Sequence, residues 1–255
     1  MKKVIILGAG IYQVPLIKCA KSLGYYTIVC SIEGNYPGFK YADKVYYINT
    51  IDKDAILEVA IEEKIDGIVT AGTDVAVNTI GYVCDKLGLK GLSAKSAEMV
   101  TDKSLMKKAF FKGDVSTAKY FEIKSKKDLI DSFSELTFPL IIKAVDLSGS
   151  RGIIIVETHD EALTAFDKVM KVTHKDYCIV EEFITGVEFG AQAFMYNGKM
   201  QFALPHGDYV FQADTGIPIG HFAPYNMGED IVKQAIDITE KAAKALNIDN
   251  AAMNC

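Results

Sequence analysis

The chain is poor in the features that mark several broad classes of protein. Its five cysteines, Cys19, Cys30, Cys84, Cys178 and Cys255, are scattered, with no C-x-x-C pair. That spacing supports neither a zinc site nor a disulfide framework, and it points to a reducing compartment. The apolar stretch at 4–7, behind Lys2-Lys3, breaks at Gly8 and is too short for a signal peptide. No apolar run approaches membrane-spanning length. There is no basic stripe, and a net charge of −5 argues against a general nucleic-acid binder. Neither an internal repeat nor a low-complexity segment is visible. With 49% apolar and 24% charged residues over 255 positions, the composition is that of a cytoplasmic globular protein with room for more than one domain.

What is present is a rhythm. Residues 3–7 read as a parallel strand buried on both faces, with an unbroken branched apolar run at 4–7 that ends in glycines. Helical spacing follows at 11–23, with Gly24 as a stop. Strands at 26–31, 44–48 and 67–70 alternate with helices at 53–63 and 75–87, which predicts a doubly wound parallel sheet over 1–100. Its ligand crevice belongs at the carboxyl ends of the strands, near Gly10, Tyr12, Gln13 and Asp74.

From about residue 101 the order changes to a smaller α+β unit. Helices are expected at 103–111, 126–133 and 160–170, and strands at 118–123, 138–143, 152–156 and 177–182. Strands at 188–196 and 199–204 join through Asn197-Gly198 as a hairpin. The stretch holding Gly207, Gly216, Pro218, Gly220 and Pro224 reads as a long loop, followed by a helix at 229–246 and the start of a strand at 250–255. The expected domains are 1–100, 101–185 and 186–255.

Several constellations carry chemistry. Gly8-x-Gly10 opens like a dinucleotide fingerprint, and Glu33 follows the second strand, but Gln13 stands where the third glycine belongs. Lys143 ends an apolar run, where a lysine is costly unless it meets an anion. The loop Ser148-Gly149-Ser150-Arg151-Gly152 follows it and can fold over that anion. Lys103 supplies a second cation, and Arg151 falls near a γ-phosphate. Glu181, Glu182, Phe183, Ile184 and Glu188 flank Gly186: one carboxylate suits an adenine amino group, another the ribose hydroxyls, and the backbone of Phe183 and Ile184 the purine edge. Together these point to ATP held by charge and positioning. His206 and His221 are structural or substrate-adjacent.

Taken in order, Gly8-Ala9-Gly10, Asp102-Lys103, Pro139-x-x-x-Lys143, Ser148-Gly149-Ser150-Arg151-Gly152 and Glu181-Glu182-Phe183-Ile184-x-Gly186-x-Glu188 resemble the ATP-grasp superfamily over essentially the whole chain. The resemblance is to its carbamoyl-phosphate-synthase-like and carboxylate–amine ligase group. It implies an N-terminal α/β domain, a lid and a C-terminal α+β domain. Lys103 and Lys143 would bind phosphates, Glu181, Phe183 and Ile184 the adenine, and Glu188 the ribose. The implied chemistry activates a small-molecule carboxylate as an acyl phosphate for attack by an amine, using ATP and Mg²⁺. Bicarbonate activation and a non-catalytic nucleotide-binding module are alternatives. The acid would lie by Gly10, Tyr12, Gln13, Asp74 and His206. The family's metal acids are expected beyond Cys255, so a truncated form or fragment of a longer ligase is the expectation; a homodimer is left open.

Overall fold

The computed structural model describes residues 1–149, 151–212 and 216–255. The chain divides into two compact units, Met1–Glu98 and Met99–Cys255. No helix among the described residues is long and apolar enough to cross a membrane.

The first unit is a four-stranded parallel sheet in the order β3-β2-β1-β4, built from β1 (Lys3–Leu7), β2 (Tyr26–Ser31), β3 (Lys44–Tyr47) and β4 (Gly67–Val69). Its central strands β1 and β2 are mostly apolar because both faces are covered. Ile5, Leu7, Ile28 and Cys30 meet Ile56, Val59, Ala60 and Val83 on one side, while Val4, Ile6 and Val29 meet Ile17 on the other. The helices are α1 (Val14–Ser22), α2 (Lys53–Glu63) and α3 (Val77–Leu87), followed by α4 (Ala94–Thr101) at the junction of the units. Pro15 helps to start α1, and α3 stops at Gly88 in the left-handed conformation. Strand order reverses at β1, so the crevice between the ends of β1 and β4 is the switch point where such sheets bind ligands.

The second unit carries two antiparallel four-stranded sheets. The first, β5-β8-β6-β7, comprises β5 (Tyr120–Ile123), β6 (Leu140–Ala144), β7 (Ile153–Val156) and β8 (Cys178–Glu182). Helices α6 (Lys126–Ser132) and α7 (His159–Met170) contribute Leu129, Ala162, Ala165, Phe166 and Val169 to a core with Leu140, Ile142, Ala144 and Val180. Helix α5 (Lys103–Lys112) contacts β8, and its Lys107 meets Glu181, a neighbour in alternation of that core's Val180.

The second sheet, β11-β10-β9-β12, comprises β9 (Gly190–Tyr196), β10 (Lys199–Gln212), β11 (Gly216–Phe222) and β12 (Ala251–Asn254), packed on α8 (Glu229–Ala245). Along β9, Ala191, Ala193 and Met195 are buried, and Gln192, Phe194 and Tyr196 are exposed.

Here the expectation of a long loop after residue 204 fails: the chain continues as β10 and returns as β11. Glycine and proline act as breakers only where both sides of a strand must pair. β10 pairs with β9 as far as His206 and with β11 from Gly207 onward, so Pro205 has a ladder on one side only. Pro218 lies on the edge strand β11, where a missing N–H is tolerated. Gly207 is required sterically, since the Phe222 ring lies where its side chain would be. One smaller difference follows from pairing: β9 starts at Gly190, leaving Glu188 in the segment before it.

Candidate nucleotide site

The register of β6 and β8 sets the centre of the site. Lys143 pairs with Ile179, so Glu181 is its diagonal neighbour on the same face. The Lys143 ammonium bonds one carboxylate oxygen of Glu181, and Lys107 of α5 bonds the other. Glu181 is 2% exposed, so this is a buried carboxylate between two ammonium groups. Lys107 also donates to Thr117 Oγ1 at 2.7 Å and to the Ala118 carbonyl at 3.2 Å, which completes its three donors. Burial lowers the Lys107 pKa from its ordinary value; Glu181 opposes that shift and the Lys143 charge reinforces it. Two ammonium groups and one carboxylate leave the cluster at +1, and Lys143 is its less buried cation.

Asp102 caps α5, accepting from Ser104 N at 2.9 Å and Leu105 N at 3.1 Å, and its other oxygen accepts from the Tyr177 hydroxyl at 2.5 Å. Burial, and then that bond to Asp102, raise the Tyr177 pKa. The cap fixes where Lys103 begins the helix. Lys103 donates its backbone N–H to the Val145 carbonyl at 3.0 Å and its ammonium to the Leu147 carbonyl at 2.5 Å. Lys103 and Lys143 are thereby brought to the same stretch of chain, the end of β6 and the loop that follows.

That loop is organised at both ends. Asp146 accepts from Thr173 Oγ1 at 2.6 Å and from His174 N at 2.8 Å. Burial works to raise the Asp146 pKa, but these hydrogen bonds together hold it below the ordinary carboxylate value. Gly149 and Gly152 have φ of +66° and +64°. Arg151, exposed, turns back to donate Nε to the Ser148 carbonyl at 3.1 Å. Ser150 lies outside the described residues.

The adenine-side residues have these partners. Both Glu181 oxygens already carry a lysine, so any purine contact would use their remaining lone pairs. Glu182 accepts from Thr137 N at 3.0 Å. The Phe183 N–H is not offered to a purine, because it donates to the Pro139 carbonyl at 3.0 Å and prolongs the β8 ladder. Ile184 is 70% exposed and Val187 78%, and Glu188 beside them is exposed.

In the first unit, Gly10, Tyr12, Gln13 and the segment 71–74 do come together at the switch point. Gln13 is 5% exposed, and its amide donates to the Ala71 carbonyl. A side chain on Gly8 or Gly10 would meet Gln13 at 3.1 Å, so Gln13 fills the face of the turn that a dinucleotide pyrophosphate would need. Tyr12 packs on Gly72 and is 72% exposed, and Asp74 is exposed.

Lys107 escapes a sequence reading because burial is not visible there; its one signal is the spacing of four from Lys103 on a helix. His206, Asp208 and His221 form a further cluster that sequence separation hid, because β10–β11 pairing is what joins them.

The model for the phosphoribosylglycinamide synthetase ATP-grasp (A) domain matches residues 101–254. The chain is 24% identical to an alanine–anticapsin ligase of Bacillus subtilis over 241 residues, covering 84% of this chain and 51% of that one. The crystal structure of phosphoribosylglycinamide synthetase from Anaerococcus prevotii superposes with a TM-score of 0.83 at 38% identity, over 99% of this chain and 63% of that one. The biotin carboxylase domain dimer of Hydrogenobacter thermophilus 2-oxoglutarate carboxylase, solved with MgADP, ADP and bicarbonate, shares the fold with a TM-score of 0.84 at 20% identity over 99% of this chain and 60% of that one. The chain therefore spans about half the length of the curated relative and under two thirds of the solved ones. The match over residues 101–254 makes this chain a member of the phosphoribosylglycinamide synthetase ATP-grasp (A) domain family.

Proposed function

We propose that the chain binds ATP for an ADP-forming carboxylate–amine ligation. The observation that carries this is the buried Lys107–Glu181–Lys143 cluster. A lone Lys143–Glu181 pair would be neutral; Lys107 supplies the second cation, so the group keeps one positive charge for an anion. Lys103 holds the glycine-bearing loop beside it. In this assignment Lys143 and Lys103 face the phosphates, and Arg151 is released from Ser148 to meet the γ-phosphate. Ser148, Gly149, Ser150 and Gly152 supply loop contacts. Ile184 and Val187 offer apolar surface to the purine, with Glu182 and the Phe183 carbonyl beside it, and Glu188 takes the ribose. Residues 101–185 act as the lid and 186–255 as the facing wall, while Gly10, Tyr12, Gln13 and Asp74 bound the acid's crevice.

Transfer would begin with a carboxylate oxygen attacking the γ-phosphorus. The bond from that phosphorus to the β-phosphate oxygen breaks and ADP leaves. An amine nitrogen then attacks the acyl carbon, the carbon–oxygen bond to phosphate breaks, and the nitrogen gives up a proton as the amide forms. The lysines neutralise charge that is already present and lower its cost as it moves. The relatives named as ligases support this reaction class for the acid and amine partners.

Mg²⁺ prefers octahedral oxygen ligation. The carboxylates around the loop do not fit it: Glu181 is held by two lysines, Asp146 by Thr173 and His174, Asp102 by the α5 cap, and Glu122 by Ser104 and Lys108. The ion that accompanies ADP in the Hydrogenobacter complex therefore has no counterpart site among these four acids.

Calorimetry with ATP, ADP and NADH tests the assignment. ATP and ADP are expected to bind and NADH is not. Binding of NADH without ATP would overturn it and return the Gly8–Gly10 turn to a dinucleotide role.

A further inference from the structure

A second cluster of side chains lies on β10 and β11, away from the lysines of β6 and α5 in the chain. His206 and Asp208 are two apart on β10 and share a face. His221 stands across from Asp208 in the β10–β11 register. The His206 Nδ1 lies 2.8 Å and the His221 Nδ1 2.6 Å from the same oxygen, Asp208 Oδ1. The two rings meet edge-on with centroids 4.9 Å apart. One donor atom from each residue therefore falls within 4.8 Å of the other two. His206 is 4% exposed and fixed against Gly190, where any side chain would collide with its ring, whereas the His221 side chain is 55% exposed.

We propose that His206, Asp208 and His221 bind a divalent transition-metal ion of the Zn²⁺ class, with one coordination position left open. Two imidazoles and one carboxylate form a borderline donor set that suits Zn²⁺, Co²⁺ or Ni²⁺ and not Mg²⁺, which selects oxygen ligands. Pairing in the ladder holds the two strands that carry the ligands, so little backbone must move. Both Nδ1 atoms aim at one Asp208 oxygen, so the ion takes the place that oxygen now holds and the carboxylate swings back on its own side-chain torsions, replacing two N–H···O contacts by three metal bonds of about 2.0–2.2 Å. Binding through Nδ1 leaves each neutral ring with its proton on Nε2.

For His206 that proton has a receiver. The Gln192 side-chain nitrogen lies 3.5 Å from His206 Nε2 and donates to Asn254 Oδ1 at 2.7 Å. Turning both amides over places Gln192 Oε1 against the ring N–H and preserves the Gln192–Asn254 bond with donor and acceptor exchanged. A ligand histidine whose second nitrogen is held this way is the usual supporting arrangement of metal sites. This assignment does not depend on the nucleotide site.

Titration of the metal-free chain with Co²⁺, followed by visible ligand-field absorption, together with Zn²⁺ calorimetry, tests it without nucleotide. One equivalent should bind. His221→Ala should abolish the band, and Gln192→Leu should weaken affinity roughly 10-fold or more. His221 is exposed, so His221→Ala is expected to melt like the wild type, and Gln192→Leu gives an independent variant. Absence of a ligand-field band, an unchanged affinity in His221→Ala, or a thiolate charge-transfer band that Cys255→Ser removes would each overturn the assignment.

Discussion

Two glycine-bearing loops in this chain follow apolar strands and end in opposite arrangements. After β1, the turn at Gly8–Gly10 is filled from within, because Gln13 lies against both glycines and bonds Ala71. After β6, the loop from Val145 to Gly152 is gripped at its base by Lys103, with a net-positive cluster beside it. Glycine permits a close backbone approach in both cases, but what occupies the space decides whether an anion can use it. Sequence shows the permission; only packing shows the occupant.

The comparison breaks most visibly at Glu181. Glu181→Ala leaves two ammonium groups without their shared partner, and urea unfolding should report a loss of about 3–5 kcal/mol. An unchanged midpoint would mean that the cluster does not form in solution. Lys143→Ala keeps the Lys107–Glu181 pair, so the fold should survive while ATP affinity falls roughly 10- to 100-fold by calorimetry. Retained affinity would remove Lys143 from the phosphate contacts.

At the other loop, Gln13→Ala removes the donor to Ala71 and leaves a small void. Thermal unfolding should show a loss of about 1–3 kcal/mol, with ATP affinity as in the wild type. A fall in ATP affinity there would erase the distinction between the two loops. The smallest effect concerns acid. The folded Asp146 pKa lies below its ordinary 3.8, so its contribution is present at neutral pH and lost as pH falls through that lowered value. Urea unfolding of Asp146→Asn should therefore differ from the wild type at neutral pH and converge with it at strongly acid pH.

Much of the fold was legible where one physical signal dominated. The run Lys3–Leu7 announced a strand buried on both faces, and the alternation that follows fixed the parallel sheet. The order of Lys103, Lys143 and Glu181 announced a charged site, but not who pairs with whom. Lys107 looked like any helical lysine, and nothing in the sequence joined it to Glu181 until the β6–β8 diagonal and α5 enclosed them. The second half of β10 was hidden for a different reason. Its glycines and prolines are breakers by local preference, and a change of pairing partner at His206/Gly207 made them tolerable.

Lys103 ties both its amide and its ammonium to the first residues after β6. The opening of the loop and the first turn of α5 are thus clamped as one body. In the proposed nucleotide role, the backbone freedom left to the loop lies at Gly149 and Gly152, both at positive φ. Changing the loop's length beyond that clamp should alter nucleotide on-rates and leave the lysines where they stand.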